Sequence, residues 1–335
     1  MMMLRTMQIS KVALTLLVLS FCWLATSAQQ PTEPRPGKPI TIPTRFIEDR
    51  FYAVPVTQDN VTLLLFTDSA GSLTLYSDVL EKLGVKAEVL KGEADNGGDL
   101  TVAPLPAFKP EASVPPALGS RHEGRVFVIT RRDSPLLKRD GMLGQQWFAG
   151  RVWTFDYPAK ALLWRAAGDL PSHDQTHEVK LFFRSNASGT RSNNFARIPI
   201  QVDGETIDFV LDTGATNFLS DDVLKQLGDG RGAERATSFL VQSVYEKWHA
   251  KHPEWRVLEN IKTLSGTALI EVPEVTIGGF KVGPVWFSVQ LDAGFQSVMG
   301  TLTDKRVSGA LGGSALHYFR MTVDWPNGIA VFERP

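Results

Sequence analysis

The chain contains 335 residues, 43% of them apolar, which is enough to form two modest hydrophobic cores. It carries 35 basic and 36 acidic side chains, so the formal net charge is −1. This balance gives no electrostatic footprint for nucleic acid or for an anionic membrane surface, and we expect partners of neither class.

The first 28 residues have the features of a secretory signal peptide. Two basic residues precede an apolar stretch, residues 12–24, and small residues follow it as far as Ala28. The stretch is short for a membrane span, so we expect cleavage after Ala28 and export to the periplasm or the medium, with no membrane span left. Cys22, the sole cysteine, would be removed with the signal, leaving no disulfide. A lipoprotein anchor at Cys22 is the alternative, which the bulky Phe21 before it disfavours.

Proline-rich sequence follows the signal and predicts an extended tether over residues 29–45, with folded sequence starting near Ile40. Two lobes are predicted after it, over residues 46–165 and residues 178–335. The polar residues 166–177 between them read as an interlobe linker.

The two predicted lobes carry an internal repeat. Residues 54–84 align without a gap with residues 198–228, and ten of the 31 pairs are identical. A second ungapped block pairs residues 141–164 with residues 309–332. Each half also has the short apolar runs and turn signals of a β-rich unit.

The offsets of the two blocks differ, being 144 residues in the first and 168 in the second. The second half therefore contains 24 additional residues. We place them within residues 233–259, where apolar residues recur at helical spacing: Leu240, Val241, Val244, Tyr245 and Trp248. One interpretation is an extra helix that packs on the second lobe. The other is a lid or a surface that docks a partner.

An acidic residue follows a predicted strand at the same place in each half. Asp212-Thr213-Gly214 comes directly after the apolar run of residues 209–211. The matching passage of the first half is Asp68-Ser69-Ala70-Gly71. Two such loops, one from each half, could bring two carboxylates face to face.

The second half resembles a lobe of the retropepsin-like aspartic peptidases. The resemblance rests on residues 210–215, on Ile277-Gly278-Gly279, on Gly309-Ala310-Leu311-Gly312 and on the closing stretch of residues 319–328. The first half resembles the same lobe more weakly. Together they resemble the tandem, pepsin-type arrangement, which implies a mostly β, bilobal acid-protease fold. Short helices and a helical insertion in the second lobe complete the expected fold.

The resemblance implies an exported aspartic endopeptidase that hydrolyses a peptide or protein substrate. Asp212 and Asp68 would be its catalytic pair, sharing one proton and activating a water between them. Thr213, Gly214 and Ser69 would support the two loops. The resemblance implies no cofactor and no metal, and we expect a monomer because one chain supplies both acids.

The first half departs from the family pattern at the acid loop. Ala70 stands where Gly214 stands, so Asp68 could instead be a relic acid on a solvated turn. The alternative function is then a catalytically silent, bilobal peptide-binding protein. A pairing of Asp212 with its copy in a second chain is disfavoured, because the first lobe already occupies the partner's place. Gly71 and Ala215 lack a hydroxyl that could lower the pKa of the acids, so we expect a pH optimum nearer neutral than strongly acidic.

Two further features are weaker signals. The turns at residues 96–99 and 264–267, one in each half, read as cleft-covering flaps or as ordinary surface hairpins. The histidine pairs His173/His177 and His249/His252 lack the spacing of a metal motif, and we interpret them as surface residues.

Overall fold

The computed structural model describes residues 33–94, 97–117, 124–130, 138–263 and 266–335. The predicted signal peptide, residues 1–28, lies outside the described residues. Within the described ranges, no helix is both long and apolar enough to cross a membrane.

The first half of the chain forms a lobe of short strands with two short helices and one 3₁₀ turn. Its elements are β1 (Ile40–Ile42), β2 (Thr44–Ile47), β3 (Arg50–Ala53), β4 (Leu65–Thr67), β5 (Thr74–Tyr76), α1 (Ser77–Leu83), β6 (Glu88–Leu90), β7 (Leu100–Pro104), the 3₁₀ turn Pro110–Ala112, β8 (Arg125–Ile129), β9 (Gly141–Leu143), α2 (Gln145–Phe148), β10 (Val152–Asp156) and β11 (Ala161–Arg165). Eight of the strands form one sheet in the order β2-β3-β4-β9-β5-β8-β7-β6.

The second half repeats this plan with longer elements. After a 3₁₀ turn at Gln175–His177 come β12 (Glu178–Lys180), β13 (Arg197–Val202), β14 (Glu205–Leu211), β15 (Thr216–Phe218), α3 (Asp221–Leu227), β16 (Glu234–Ala236), β17 (Ser238–Val241), α4 (Gln242–Lys251), β18 (Val257–Thr263), β19 (Gly266–Val272), β20 (Val275–Ile277), β21 (Phe280–Val282), β22 (Val285–Gln290), α5 (Asp292–Leu302), β23 (Gly309–Leu311), α6 (Gly313–Leu316), β24 (Arg320–Asp324) and β25 (Ile329–Glu333). The main sheet has the order β18-β19-β22-β17-β23-β14-β13-β20-β21, and β15 pairs separately with β16.

A third sheet joins the two lobes, in the order β1-β11-β10-β24-β25-β12. Its centre is the antiparallel pair β10 and β24, in which Thr154 lies opposite Thr322. Their hydroxyl oxygens are 2.7 Å apart, and both residues are fully buried. Large aromatic side chains pack around this sheet, among them Trp153 and Trp325. The mostly β, bilobal pepsin-like fold predicted from the sequence is confirmed.

The start of the folded chain differs from one predicted boundary. Ile40 lies opposite Trp164 in the joining sheet, and Ile42 is buried. The sheet therefore includes residues that the predicted tether of residues 29–45 assigned to unpacked sequence, because the tether was extended over an apolar run. Residues 166–174 contain no helix or strand.

The acid-bearing strands occupy the same place in the two lobes. In the first lobe β4 runs parallel to β9, with Phe66 opposite Met142. In the second lobe β14 runs parallel to β23, with Val210 opposite Ala310. These pairs reproduce both offsets of the internal repeat, 144 residues on the acid strand and 168 on the glycine-bounded strand.

The additional residues of the second half lie earlier than the sequence predicts. Leu75 of β5 faces Gly141, and Leu240 of β17 faces Gly309, so these two leucines are counterparts. The offset grows from 144 residues at the acids to 165 at these leucines, so 21 residues are inserted between the two points. We call residues 216–236, which comprise β15, α3 and β16, the inserted segment.

The helix counterparts change with this register. Because α4 follows β17 as α1 follows β5, α4 is the counterpart of α1. The predicted location of the insertion, residues 233–259, is therefore wrong for most of its length, although it does contain a helix, α4. The sequence alignment pairs α1 with α3 instead, because both are seven-residue helices that end at a left-handed glycine, Gly84 or Gly228.

Candidate active site

The two predicted acids lie on loops at the ends of their strands, where the lobes meet. Asp68 follows β4 and Asp212 follows β14, and the last three residues of β14 are fully buried because β14 lies between β13 and β23. The two carboxyl groups are hydrogen-bonded to each other. Asp212 is 8% exposed and Asp68 is half-buried. One chain thus brings both carboxyl groups together.

The backbone holds the two acids in nearly identical frames. The amide of Ala70 donates to Oδ1 of Asp68 at 2.9 Å. The amide of Gly214 donates to Oδ1 of Asp212 at 3.0 Å. Each acid therefore has one oxygen fixed by its own loop.

Ser69 and Thr213, the two predicted support residues, lock the loops to each other. The amide of Ser69 donates to Oγ1 of Thr213 at 3.1 Å, and the amide of Thr213 donates to Oγ of Ser69 at 3.0 Å. The Ser69 hydroxyl also donates to the carbonyl of Leu211 at 2.8 Å. Both side chains are buried, so these bonds fix the spacing of the two loops without competition from water.

The exchange of Ala70 for glycine leaves the hydrogen-bond frame of Asp68 intact. The glycine clearance is instead needed by the Asp68 side chain itself. A Cβ atom added to Gly214 would lie 2.3 Å from Cγ of Asp68, and one added to Gly71 would lie 2.7 Å from its Oδ2. Gly214 and Gly71 therefore make room for Asp68 from both sides.

The two acids differ in their electrostatic surroundings. Burial and the neighbouring charge of Asp68 raise the pKa of Asp212 well above its usual value. Burial also raises the pKa of Asp68, but the Ala70 amide and the charge of Arg139 oppose the rise. Because two adjacent carboxylates cannot both ionise readily, the pair holds one proton over a range of pH. The asymmetry favours Asp212 as the protonated member.

Arg139 was missed by the sequence analysis. Its guanidinium carbon lies 4.6 Å from the centre of the Phe66 ring, and Nε lies 3.5 Å from the hydroxyl of Tyr76. In the repeat register its counterpart is Val307, a buried apolar residue. The asymmetry of the pair thus comes from one lobe, and a single arginine two residues before β9 carries no motif that could reveal it.

The raised pKa of Asp212 makes this acid a source of instability at neutral pH. Its ionisation opposes folding, so its favourable contribution is complete below pH 3.8 and is lost as the pH rises through the folded-state pKa. We expect Asp212→Asn to be more stable than the wild type at pH 7 by about 1 kcal/mol or more, since one pKa unit corresponds to about 1.4 kcal/mol. Urea unfolding at pH 4 and pH 7 measures this, and a difference that does not grow between the two would contradict it.

The two predicted flap turns lie in equivalent hairpins. β6 and β7 pair up to Leu90 and Leu100, and β18 and β19 pair up to Thr263 and Gly266. Each hairpin lies next to the counterpart strand, β8 or β22. Parts of both tips, residues 95–96 and 264–265, lie outside the described residues.

The histidines lie away from the acid pair. His173 is 3.2 Å from Glu178, and His252 is 2.8 Å from Asp203 and 3.2 Å from Glu254. Across the described ranges, no group of three or more His, Cys, Asp or Glu residues could hold a metal ion.

No family model and no curated protein sequence matches the chain. Among solved structures, it is similar to an aspartic proteinase from Irpex lacteus, with 13% identity and a TM-score of 0.49, over 88% of this chain and 97% of that one. It is also similar to basic 7S globulin from soybean (9%, TM-score 0.43, 89% and 95%) and to conglutin gamma, a basic 7S globulin from lupine seeds (10%, TM-score 0.47, 89% and 95%). At these identities and scores the likenesses support no functional conclusion.

Proposed function

We propose that the protein is an aspartic endopeptidase whose two catalytic carboxyl groups are Asp68 and Asp212. The observation that carries the proposal is their mutual hydrogen bond, made by loops from two lobes that are locked together through Ser69 and Thr213. A solvated relic turn would have no need for such a frame. The pair is also the arrangement that shares a proton, which one isolated acid cannot do.

In the proposed reaction, the ionised Asp68 takes a proton from a water molecule as its oxygen attacks the carbonyl carbon of the scissile bond. The protonated Asp212 donates its proton to the carbonyl oxygen, which gives a neutral gem-diol. A proton then passes to the amide nitrogen, the C–N bond breaks, and one carboxyl group keeps a single proton. The assignment of base and acid follows the asymmetry of the two pKa values.

The substrate class we propose is a peptide or an unfolded segment of a protein. Because both acids come from one chain, the active form is a monomer. We further propose that the protein acts after export, with residues 1–28 as its signal peptide.

The proposal is tested with the purified mature chain and denatured casein. We expect peptide products, detected by mass spectrometry, in the presence of EDTA and of reagents that block serine and cysteine peptidases. A statine-type compound, whose hydroxyl takes the place of the attacking water, should inhibit the cleavage. Saturable binding of peptides with no product at any pH would instead support the silent peptide-binding alternative.

The pH–rate profile is expected to be bell-shaped and shifted upwards. The active form carries one proton on the pair, so activity rises as Asp68 ionises and falls as Asp212 loses its proton. Both pKa values are raised by burial, that of Asp212 the more strongly, so the acid limb should lie above pH 3.8 and the alkaline limb higher still. A kcat/KM profile that peaks near about pH 2, the range of pepsin's lower pKa, would contradict this.

A further inference from the structure

Arg50 is a buried cation that reaches from the first lobe into the second. It lies in β3 and is 1% exposed. Its Nη1 donates to Oε1 of Glu234 at 2.9 Å and to Oγ1 of Thr216 at 3.1 Å, and its Nη2 donates to the carbonyl of Glu234 at 2.9 Å. Both partners belong to the inserted segment, at its two paired strands β15 and β16.

Aromatic side chains of the first lobe surround this cation. Its guanidinium carbon lies 5.6 Å from the ring centre of Tyr52 and 5.9 Å from that of Phe66. Phe66 is two residues before Asp68 on β4. Burying a charged pair in such a place costs desolvation energy and often gives no net stability over an apolar pair. A role beyond stability is therefore the better explanation for Arg50.

Arg50 sets the direction of a hydrogen-bond chain that ends at the acid loop. An arginine side chain can only donate, so the Thr216 hydroxyl oxygen must accept from it. The hydroxyl proton is then directed to the carbonyl of Gly214, at 2.8 Å. The amide of Gly214 in turn donates to Asp212. The chain thus runs from a cation of the first lobe to the carboxyl group of the second.

The inserted segment is fastened to the first lobe beside Arg50. Arg231 pairs with Glu48 at 2.9 Å and with Asp49 at 2.7 Å, on the turn between β2 and β3. The amide of Gly232 donates to Glu48 at 3.1 Å, and that of Ala236 donates to the Glu48 carbonyl at 3.0 Å. These contacts hold Thr216 and Glu234 against Arg50, because the turn leads directly into β3.

We propose that Arg50 is a positioning residue for the catalytic pair. It acts through Thr216 on the Gly214 peptide, and so fixes the orientation of the Asp212 carboxyl group relative to Asp68. The inference rests on the proposed function for its catalytic consequence, but the fixed loop is a property that can be measured without activity.

Three variants and one control test this role. Thr216→Val removes the hydroxyl with little change of shape, and Arg50→Met removes the cation but keeps the apolar stem. Arg50→Lys keeps the charge but cannot reach two acceptors in the planar geometry of a guanidinium. The control is Arg320→Met, which breaks another ion pair between the lobes, 2.6 Å from Asp156, in the joining sheet.

We expect Thr216→Val and Arg50→Met each to lower kcat by roughly ten- to a hundredfold with little change of KM, since a hydrogen bond to a charged group has about this value. The double variant should lose no more than Arg50→Met alone, because both changes break one chain. Arg50→Lys should recover stability but not kcat. Arg320→Met should leave kcat within about threefold, and its effect should add to that of Thr216→Val.

Amide hydrogen exchange provides the readout that does not need activity. Peptides that cover residues 208–218 should exchange about tenfold faster or more in Thr216→Val and Arg50→Met, but not in Arg320→Met. If the wild type cleaves nothing while this exchange pattern holds, the proposed function fails and the positioning role stands. Unchanged exchange in Thr216→Val, or a purely additive double variant, overturns the positioning role even in an active enzyme.

Discussion

Replacement of Asp68 by asparagine is expected to abolish peptide hydrolysis, with kcat lowered about a thousandfold or more. Asparagine can still accept the hydrogen bond from the Ala70 amide, so the loop should keep its frame. It cannot take a proton from water, however, and it cannot share one with Asp212. The same loss is expected for Asp212→Asn, because both members act as one unit whose single losses are not additive.

The double variant Asp68→Asn/Asp212→Asn should therefore be no less active than either single variant. A matched control is Asp222→Asn, in a side chain that is 86% exposed and pairs with Lys225 on the surface of α3. This variant should keep full activity in the casein assay. Full activity of Asp68→Asn, measured on folded protein, would show that Asp212 works without this partner and would remove the intrachain pair.

The internal repeat made the position of this pair predictable. The acid loop and the glycine-bounded strand recur with constant spacing inside each block, and their pairing is local to one parallel step, β4 with β9 and β14 with β23. Asp68 could thus be matched with Asp212 in spite of Ala70. What mattered physically was that the amide of residue 70 donates to the acid whether or not a methyl group is present.

The location of the insertion could not be predicted in the same way. A seven-residue helix with a glycine cap has the same signals whether it follows β5 or lies inside an additional hairpin. The distinction rests on which strand pairs with Gly141 and which with Gly309, and strand register across more than sixty residues leaves no periodic trace in the chain.

Arg50 shows a second limit of sequence reasoning. Its partners Thr216 and Glu234 are 166 and 184 residues away, on a segment that has no counterpart in the first lobe. An arginine at the start of an apolar strand reads as an exposed end residue. Its burial depends on the inserted segment, and this becomes visible only when both lobes are assembled.

Gly214→Ala is expected to cause the second large loss, because the methyl group would occupy the space of the partner acid. The added Cβ would lie 2.3 Å from Cγ and 2.6 Å from Cβ of Asp68, distances that no relaxed structure keeps. Asp68 or the second loop must then move by about 1 Å. A misplacement of this size in a catalytic group costs about a hundredfold in rate, so we expect at least this loss of kcat/KM. Crowding at this buried site should also lower stability by about 1–3 kcal/mol.

The reverse exchange in the first lobe, Ala70→Gly, separates this collision from a general weakness of the loops. It introduces glycine at the counterpart of Gly214 and keeps the amide that donates to Asp68. It removes one methyl group from the apolar cluster that contains Val210 and Ala310. We therefore expect a loss of stability of about 1 kcal/mol with kcat/KM within about tenfold of the wild type. Equal losses of kcat/KM in Ala70→Gly and Gly214→Ala would mean that loop rigidity, and not the clearance around Asp68, is what the glycine provides.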